Sequence, residues 1–395
     1  MSVLSLPAFY LCGPTASGKS SVAIALAQRI GGEIINADAF QLYQGLDLCT
    51  AKPSLEDRAL VLHHLFDVLD PVQACDAQHY HDLALPMVEK VLSRQRWPII
   101  VGGSGLYVKA LTHGLANLPK GDAALRAQLD QMTAAERVAE LLRRDPAAAG
   151  NVPLNNDRYV SRALEICLIT GQPQSTLRQQ WQQNQPTFLG ALLERDRDDL
   201  YQRINARVLS MIEAGVVEEV KAFLAEVVAG VCDPGGVAQG MSPAPSIPHE
   251  TNPVFLNNEA SQVRPHRGQL QPASGLKPPA PSPLIPASAS PVGPSPSALR
   301  SPPLTPRPPS LLSAIGVREI QAFLHGACSL EEAITAMQQA TRRYAQRQMT
   351  WFRREHGFQT ICLAAESNPD FVTQRLIETF PCLCHPPQSA PSSSI

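Results

Sequence analysis

Residues Gly13, Pro14, Thr15, Ala16, Ser17, Gly18, Lys19 and Ser20 satisfy the phosphate-loop pattern GxxxxGK[ST], between a predicted strand and a predicted helix. The residue types suit an anion. Glycines let backbone N–H groups turn toward a phosphate, the helix N-terminus adds its dipole, Lys19 supplies a point charge, and the Ser20 hydroxyl can ligate magnesium. A second group with chemistry stands at Asp38, the acid that follows a strand in "EIINAD". It suits three roles: magnesium ligand together with Ser20, general base, or cap of its own loop. An ATPase would ordinarily place its magnesium-binding aspartate at the end of another core strand, whereas "PIIVGG" ends in glycines.

Further along, Arg203 and Arg207 lie four residues apart on one face of a helix, so both can point toward the same anion. A late helix brings Arg343, Arg347 and Arg354 near one face with Tyr344 and Trp351 beside them, a mixture suited to an RNA backbone with exposed bases. Trp351 and Phe352 also fit the role of core anchors, leaving the arginines to bind.

These residues need a frame. Ala8 to Cys12 reads as a buried strand, Ser20 to Ile30 as a helix with Val22, Leu26 and Ile30 on one face, and Glu33 to Ala37 as a second strand. A helix is predicted over Asp76 to Arg94 and a short apolar strand over Trp97 to Gly103. Alternation of strand and helix implies a parallel α/β sheet of the P-loop NTPase-like kind. From Asp122 to Arg144 the pattern turns helical, and Asp157 to Thr170 is a second helix with Val160, Leu164 and Leu168 at helical spacing. A strand resumes at Thr187 to Glu194, followed by an amphipathic run to Leu224, so a helical module interrupts the core. Ser329 to Glu355 reads as one long helix with Ser329 as N-cap and Glu332 completing a capping box, and "FQTICLA" as a last strand.

The expected organisation is a core over 1–115, 187–231 and 313–380, an inserted helical domain over 116–186, a Pro/Ser/Ala-rich disordered insertion over 232–312, and a disordered tail over 381–395. The insertion is read from composition: it holds 20 of the chain's 36 prolines, too little apolar surface to offset the entropy of ordering it. A formal charge of −2 at pH 7 excludes a uniformly basic nucleic-acid binder and leaves room for a local basic groove. Nine scattered cysteines fit reduced thiols, and Cys382-Leu383-Cys384-His385 lacks the flanking spacing of a zinc finger. No basic leader and no long apolar run is evident, so a cytoplasmic protein is expected.

The runs "GPTASGKS", "NADAFQLYQGLDLCTAKP", "HHLFDVLDP", "PIIVGGSGLYVKAL", "SRALEICLITGQP", "LYQRINARVLSMIEAGVVEEV", "IGVREI" and "TRRYAQRQMTWFRR" occur in order. In order and character the chain resembles the tRNA dimethylallyltransferases, also called tRNA isopentenyltransferases, over nearly all of its length outside the proline-rich segment. The resemblance implies that the loop Gly13–Ser20 holds the diphosphate of dimethylallyl diphosphate rather than ATP. It implies transfer of the five-carbon group to N6 of the adenosine immediately 3′ of the tRNA anticodon, with Mg2+ held by Ser20 and Asp38. Lys19, Ser20 and Arg207 would then stabilise the leaving diphosphate, and Asp38 would accept the amine proton.

For tRNA binding the resemblance implies Asp38, Ala39, Phe40 and Gln41 around the base, with Ser104 in "GGSGLY", where the family usually has threonine. It further implies Arg158, Tyr159, Val160, Ser161 and Arg162 on the inserted module, and Arg318, Arg343 and Arg347 toward the C-terminus. Ser104 also fits a simple helix cap. The chain departs from the family pattern at Ala39 for serine, Val317 for tyrosine and Tyr159 for a basic residue, positions that touch RNA contacts more than the transfer site. The expected partners are the tRNA anticodon stem-loop and dimethylallyl diphosphate, for a monomer not associated with membranes. Two other readings are a P-loop RNA-binding protein that uses nucleotide as a switch, and a related transferase acting on free adenine nucleotides. The inserted helical module speaks against the last.

Overall fold

The computed structural model of the chain describes residues 7–114, 118–119, 121–182, 187–232 and 310–387, all within one compact unit. The chain opens with β1 (Phe9–Cys12), α1 (Lys19–Ile30) and β2 (Gly32–Asn36). A short α2 (Leu55–Leu60) and a two-residue β3 (His63–His64) precede α3 (Ala77–Ser93), β4 (Trp97–Gly102) and α4 (Gly105–Thr112). Five helices then interrupt the sheet: α5 (Ala123–Asp130), α6 (Ala134–Arg144), α7 (Ala148–Asn151), α8 (Asp157–Thr170) and α9 (Gln174–Gln182). The sheet resumes with β5 (Leu189–Arg195), and α10 (Arg197–Glu213) and α11 (Val216–Cys232) follow. The last elements are α12 (Val317–Leu324), α13 (Leu330–Phe352), β6 (Phe358–Leu363) and α14 (Pro369–Thr379).

The six strands form one sheet in the order β3-β2-β4-β1-β5-β6, every pairing parallel. Parallel strands need both faces covered, and β1, β2 and β4 are accordingly buried at every position. Alternate residues feed two layers. Phe9, Leu11, Ile34, Ile99 and Leu193 pack with Val22, Leu26, Val372 and Leu376 of α1 and α14. Tyr10, Cys12, Ile35, Ile100 and Leu192 pack with Tyr80, Val88, Tyr107, Trp351 and Phe352 of α3, α4 and α13. Trp351 and Phe352 are thus core anchors, and Gly105 makes room for one of them: a Cβ there would stand 2.2 Å from the Trp351 ring.

The interrupting helices have a core of their own, built from Leu129, Leu141, Ala148, Val160, Ala163, Leu164 and Cys167. The helical stretch expected over Asp122 to Arg144 breaks at Thr133, whose side chain caps α6 in a full capping box with Glu136. The run after Asp198 breaks at Gly215, which takes φ 95 between α10 and α11. Ser329 and Glu332 form the capping box expected at the start of α13.

The proline-rich insertion lies outside the described residues except at its ends, and there its expected limits are too wide. α11 runs to Cys232, and residues Ser310–Ser313 form a 3-10 turn whose Leu311 is fully buried. The tail over 381–395 is likewise structured at its start: Pro381–Cys384 form a 3-10 turn, Leu383 is buried, and Trp97 Nε1 donates to His385 O at 2.7 Å. Apolar burial of Leu311 and Leu383, roughly 1.5–3 kcal/mol for a fully buried leucine, accounts for both corrections.

Candidate active site

The phosphate loop leaves β1, a central strand, at its carboxyl end, where open parallel sheets hold their ligands. Gly18 takes φ 93 as the N-cap of α1, a conformation that favours glycine, and Ala16 takes φ 64. Side chains grip the loop's carbonyls. Arg203 Nε donates to Ala16 O at 3.1 Å, Arg195 Nε to Ser17 O at 3.0 Å, and Lys19 Nζ to Pro14 O at 3.2 Å. Arg195 is itself held by Asp199 and by Ala364 O, at 2.9 and 2.8 Å. With its carbonyls turned to these donors, the loop presents amides and cations to the space above α1. Burial pulls Lys19 down to about 8, against the opposing pull of Asp38.

Asp38 enters from the end of β2. Asn36 fixes its backbone on both sides: Asp38 N donates to Asn36 Oδ1 at 2.8 Å, and Asn36 Nδ2 donates to Asp38 O at 3.1 Å. Phe40 N donates to the Asp38 carboxylate at 3.1 Å, so Asp38 does cap its loop, the role that needs no ligand. It does more than that. Burial raises its pKa, while Lys19, the Phe40 amide and Arg207 pull the other way. Arg207 on α10 faces the same space; burial lowers its pKa and Asp38 opposes the shift. A single pocket is lined by Thr15, Lys19, Ser20, Asp38, Gln41 and Arg207, with Val101 and Gly102 from β4.

The glycines that end β4 have a steric reason. A Cβ on Gly102 would lie 2.2 Å from Ala37 O, so only glycine admits the β2 exit this close to β4. Ala37 N donates to Val101 O at 2.8 Å, and Ser104 N to Ala37 O at 3.2 Å. Ser104 stands at the N-cap position of α4 without capping it; its buried hydroxyl instead accepts from Ala39 N at 3.0 Å. Burial of Tyr344 on α13 keeps its hydroxyl protonated. Gln348 accepts from Thr15 N at 2.9 Å and donates to Gly103 O at 3.1 Å.

The outer wall is a folded loop. Gln41 Nε2 donates to Thr50 O and Ala51 O at 3.0 Å each, and Arg207 reaches Ala51 O at 3.4 Å. Lys52, with its side chain almost fully buried, donates to Tyr43 O at 2.8 Å and Gly45 O at 2.7 Å and pairs with Asp47 and Asp67. Glu219 on α11 accepts from Leu48 N and Cys49 N, both at 2.8 Å. Pro53, His63 and Phe66 complete the lining.

Of the residues expected to act, Lys19, Ser20, Asp38, Gln41 and Arg207 meet in this pocket, with Ala39 and Ser104 bonded beside it. Arg158, Tyr159, Ser161 and Arg162 sit apart on α8 of the module. Arg162 pairs with buried Glu165 and donates to Pro119 O at 2.8 Å, which ties α8 to the chain entering the module. Val160 has no exposed surface and belongs to the module's core, so its side chain is not a tRNA contact. Arg318 and Arg343 are exposed, and Arg347 is half-buried with its guanidinium 5.8 Å from the Tyr344 ring centre. Arg195, Asn36, Gln348 and Glu219 were not expected. Nothing local marks them, because each acts on backbone far away in sequence or on a neighbour by its amide alone.

As a metal site, Ser20 and Asp38 offer one hydroxyl and one carboxylate oxygen set to the same pocket, hard donors of the kind Mg2+ takes. Among the described residues no group of three His, Cys, Asp or Glu could hold an ion. Two protein donors fit Mg2+ completed by phosphate oxygens and water, and fit an all-protein cage poorly.

Comparison with known proteins shows the family and the fold. The family model of IPP transferases matches residues 41–241 and 299–355. A tRNA dimethylallyltransferase of Geobacter sulfurreducens is 36% identical over 88% of this chain and 89% of its own length. One from Anaeromyxobacter dehalogenans strain 2CP-C is 34% identical over 93% and 97%. Among solved structures, a full-length tRNA isopentenylpyrophosphate transferase from Bacillus halodurans superposes with a TM-score of 0.56 at 27% identity, covering 96% of each chain. A eukaryotic dimethylallyltransferase acting on tRNA shares the fold, with a TM-score of 0.66 at 21% identity over 94% of this chain and 78% of that one.

Proposed function

The chain belongs to the IPP transferase family and modifies tRNA by dimethylallyl transfer, and on that premise we propose that it takes the five-carbon group from dimethylallyl diphosphate to N6 of the adenosine immediately 3′ of the anticodon. The observation that carries this reading is the convergence of the phosphate loop and Asp38 on one pocket. Lys19, Arg207 and the loop amides hold the diphosphate and stabilise the charge it gains as the bond from carbon to oxygen breaks. The N6 nitrogen forms the new bond to that carbon. Asp38, whose basicity is raised by burial, accepts the proton that the amine sheds. Mg2+, if held by Ser20 and Asp38, supplies further charge neutralisation to the diphosphate.

The tRNA then lies across Ala39, Phe40, Gln41 and Ser104, with Arg158, Tyr159, Ser161 and Arg162 on the module and Arg318, Arg343 and Arg347 supplying backbone contacts. Arginines on three separate elements suit a partner as large as an anticodon stem-loop, and the absence of an acid after β4 suits a diphosphate donor better than ATP hydrolysis. We place the protein in the cytoplasm as a monomer; no described helix is long and apolar enough to cross a membrane.

The test is incubation of the protein with tRNA, magnesium and dimethylallyl diphosphate, then digestion and mass spectrometry of the nucleosides. Isopentenyladenosine from that single position is the expected product. Unmodified tRNA together with micromolar ATP binding would point to a nucleotide switch, and modification of free AMP in place of tRNA to the free-nucleotide transferase.

A further inference from the structure

Donor and acceptor enter this pocket on different pieces of the chain. The donor's anion belongs to the loop after β1, and the acceptor's proton to Asp38 after β2. The two pieces are joined through one side chain of α13. Gln348 accepts from Thr15 N at 2.9 Å, the partners lying 333 residues apart, and donates to Gly103 O at 3.1 Å. Ser104 follows Gly103 directly, and its hydroxyl accepts at 3.0 Å from Ala39 N, the residue next to Asp38. The connection therefore runs from the donor loop, through the Gln348 amide to Gly103, and through the adjoining Ser104 to the acceptor wall.

The surroundings are built to hold this strut. Gln348 is 5% exposed, and a Cβ on Gly103 would lie 2.1 Å from its Nε2, so the amide occupies the space a side chain at 103 would take. The same position lies 3.3 Å from Gly13 O, which shows how closely the exits of β1 and β4 approach. Trp351, three residues on, packs on Gly105 and fixes the helix against the start of α4. Both polar ends of Gln348 are used, which leaves the amide a single orientation. The bond from Thr15 N also removes one amide of the phosphate loop from the set available to the diphosphate. Pro14 has no N–H, so the anion is left to amides later in the loop.

We infer that Gln348 is a positioning residue that sets the distance and direction between the donor loop and the acceptor wall, without itself binding either substrate's reacting atoms. Displacing reacting groups by about 1 Å costs about a hundredfold in rate even when both substrates stay bound. The inference rests on the proposed transfer reaction, and its test includes a reading that does not.

The variants are Gln348→Leu and the longer, unbranched Gln348→Met, each of which removes both bonds. Single-turnover transfer is expected to fall roughly 10- to 100-fold in both. Affinity for inorganic pyrophosphate and for an anticodon stem-loop should stay within about threefold of wild type. In parallel, hydrogen exchange should quicken in both the 13–19 and the 37–41 segments of Gln348→Leu, a result that needs no activity. Unchanged exchange in both segments, or a rate loss matched in full by weaker pyrophosphate binding, would overturn the inference. If wild type modified no tRNA, the functional reading would fail while the exchange result still decided whether the strut joins the two segments. Should Gln348→Leu fail to fold, Gln348→Met carries the same pair of measurements.

Discussion

The side-chain amide of Asn36 grips the backbone of Asp38 from both sides, accepting from Asp38 N at 2.8 Å and donating to Asp38 O at 3.1 Å. Asn36 is 1% exposed and also donates to Leu65 O at 3.0 Å, so it ties the Asp38 loop to the segment after β3. Asn36→Ala leaves buried backbone groups without partners, and a loss of ~1–3 kcal/mol in unfolding free energy is expected. Chemical denaturation checks that figure. Transfer should fall more than pyrophosphate affinity, because Asn36 supports Asp38 and touches no phosphate-loop group; equal falls would show that it supports the whole pocket.

Asp38→Asn separates the roles open to that residue. As general base, its loss leaves both substrates bound and slows transfer by roughly two to four orders of magnitude. As chief metal ligand, its loss weakens magnesium-dependent donor binding, and raised magnesium restores part of the rate. Single-turnover rates across a magnesium titration, with binding measured for each substrate, distinguish the two. Turnover near wild type would leave Asp38 with only its bond from Phe40 N.

Lys19→Ala should weaken diphosphate binding and slow transfer while leaving tRNA affinity unchanged, since Lys19 lines the floor of the pocket above α1. Calorimetry with pyrophosphate and filter binding with tRNA give the two numbers. A matching fall in tRNA affinity would contradict the separation of donor and acceptor sites.

The pH profile of kcat/KM should have two limbs with known signs. Lys19 titrates at about 8 in the free protein, below the ordinary lysine value, because burial disfavours its charge. Donor binding therefore weakens as pH rises through about 8, and a bound diphosphate pulls the limb to higher pH in kcat. Asp38 is shifted the other way, up from the ordinary aspartate value, so the acid limb, where the base is lost to protonation, lies above that value. An alkaline limb that persists in Lys19→Ala would have to come from another group.

Replacement of residues 233–309 by a short Gly-Ser linker should leave thermal unfolding and transfer close to wild type. The bordering elements, α11 and the turn at Ser310–Ser313, carry their own burial, and loop length weighs only weakly on stability. A large loss of tRNA affinity would show that the segment takes part in binding.

How much of this was legible in the sequence follows from how local each feature is. The phosphate loop is eight consecutive residues between a strand and a helix, and Asp38 follows a strand; both are read from spacing alone. Arg203 and Arg207 came from the helical repeat, and the structure turns both toward the phosphate loop's surroundings. Val160 shows the opposite error. Its spacing with Leu164 already assigned it to the apolar face of α8, and the run of supposed contacts from Arg158 to Arg162 passed over that periodicity. Gln348 and Arg195 could not be read, since an amide or guanidinium that bonds distant carbonyls and amides leaves no pattern in its own neighbourhood.

The order of the sheet has a consequence for how the protein is made. β1 and the phosphate loop leave the ribosome well before β5, the neighbour of β1 on one side, which the helical module separates from it, and Gln348 arrives only with α13. Until β5 is made a nascent chain carries β1 with an unpaired edge, and until α13 is made its Thr15 amide lacks the Gln348 partner, the kind of exposed intermediate that chaperones hold. A stop codon before α13 should therefore yield no weak enzyme, only a fragment that aggregates or is degraded, so that premature termination and full loss of tRNA modification coincide.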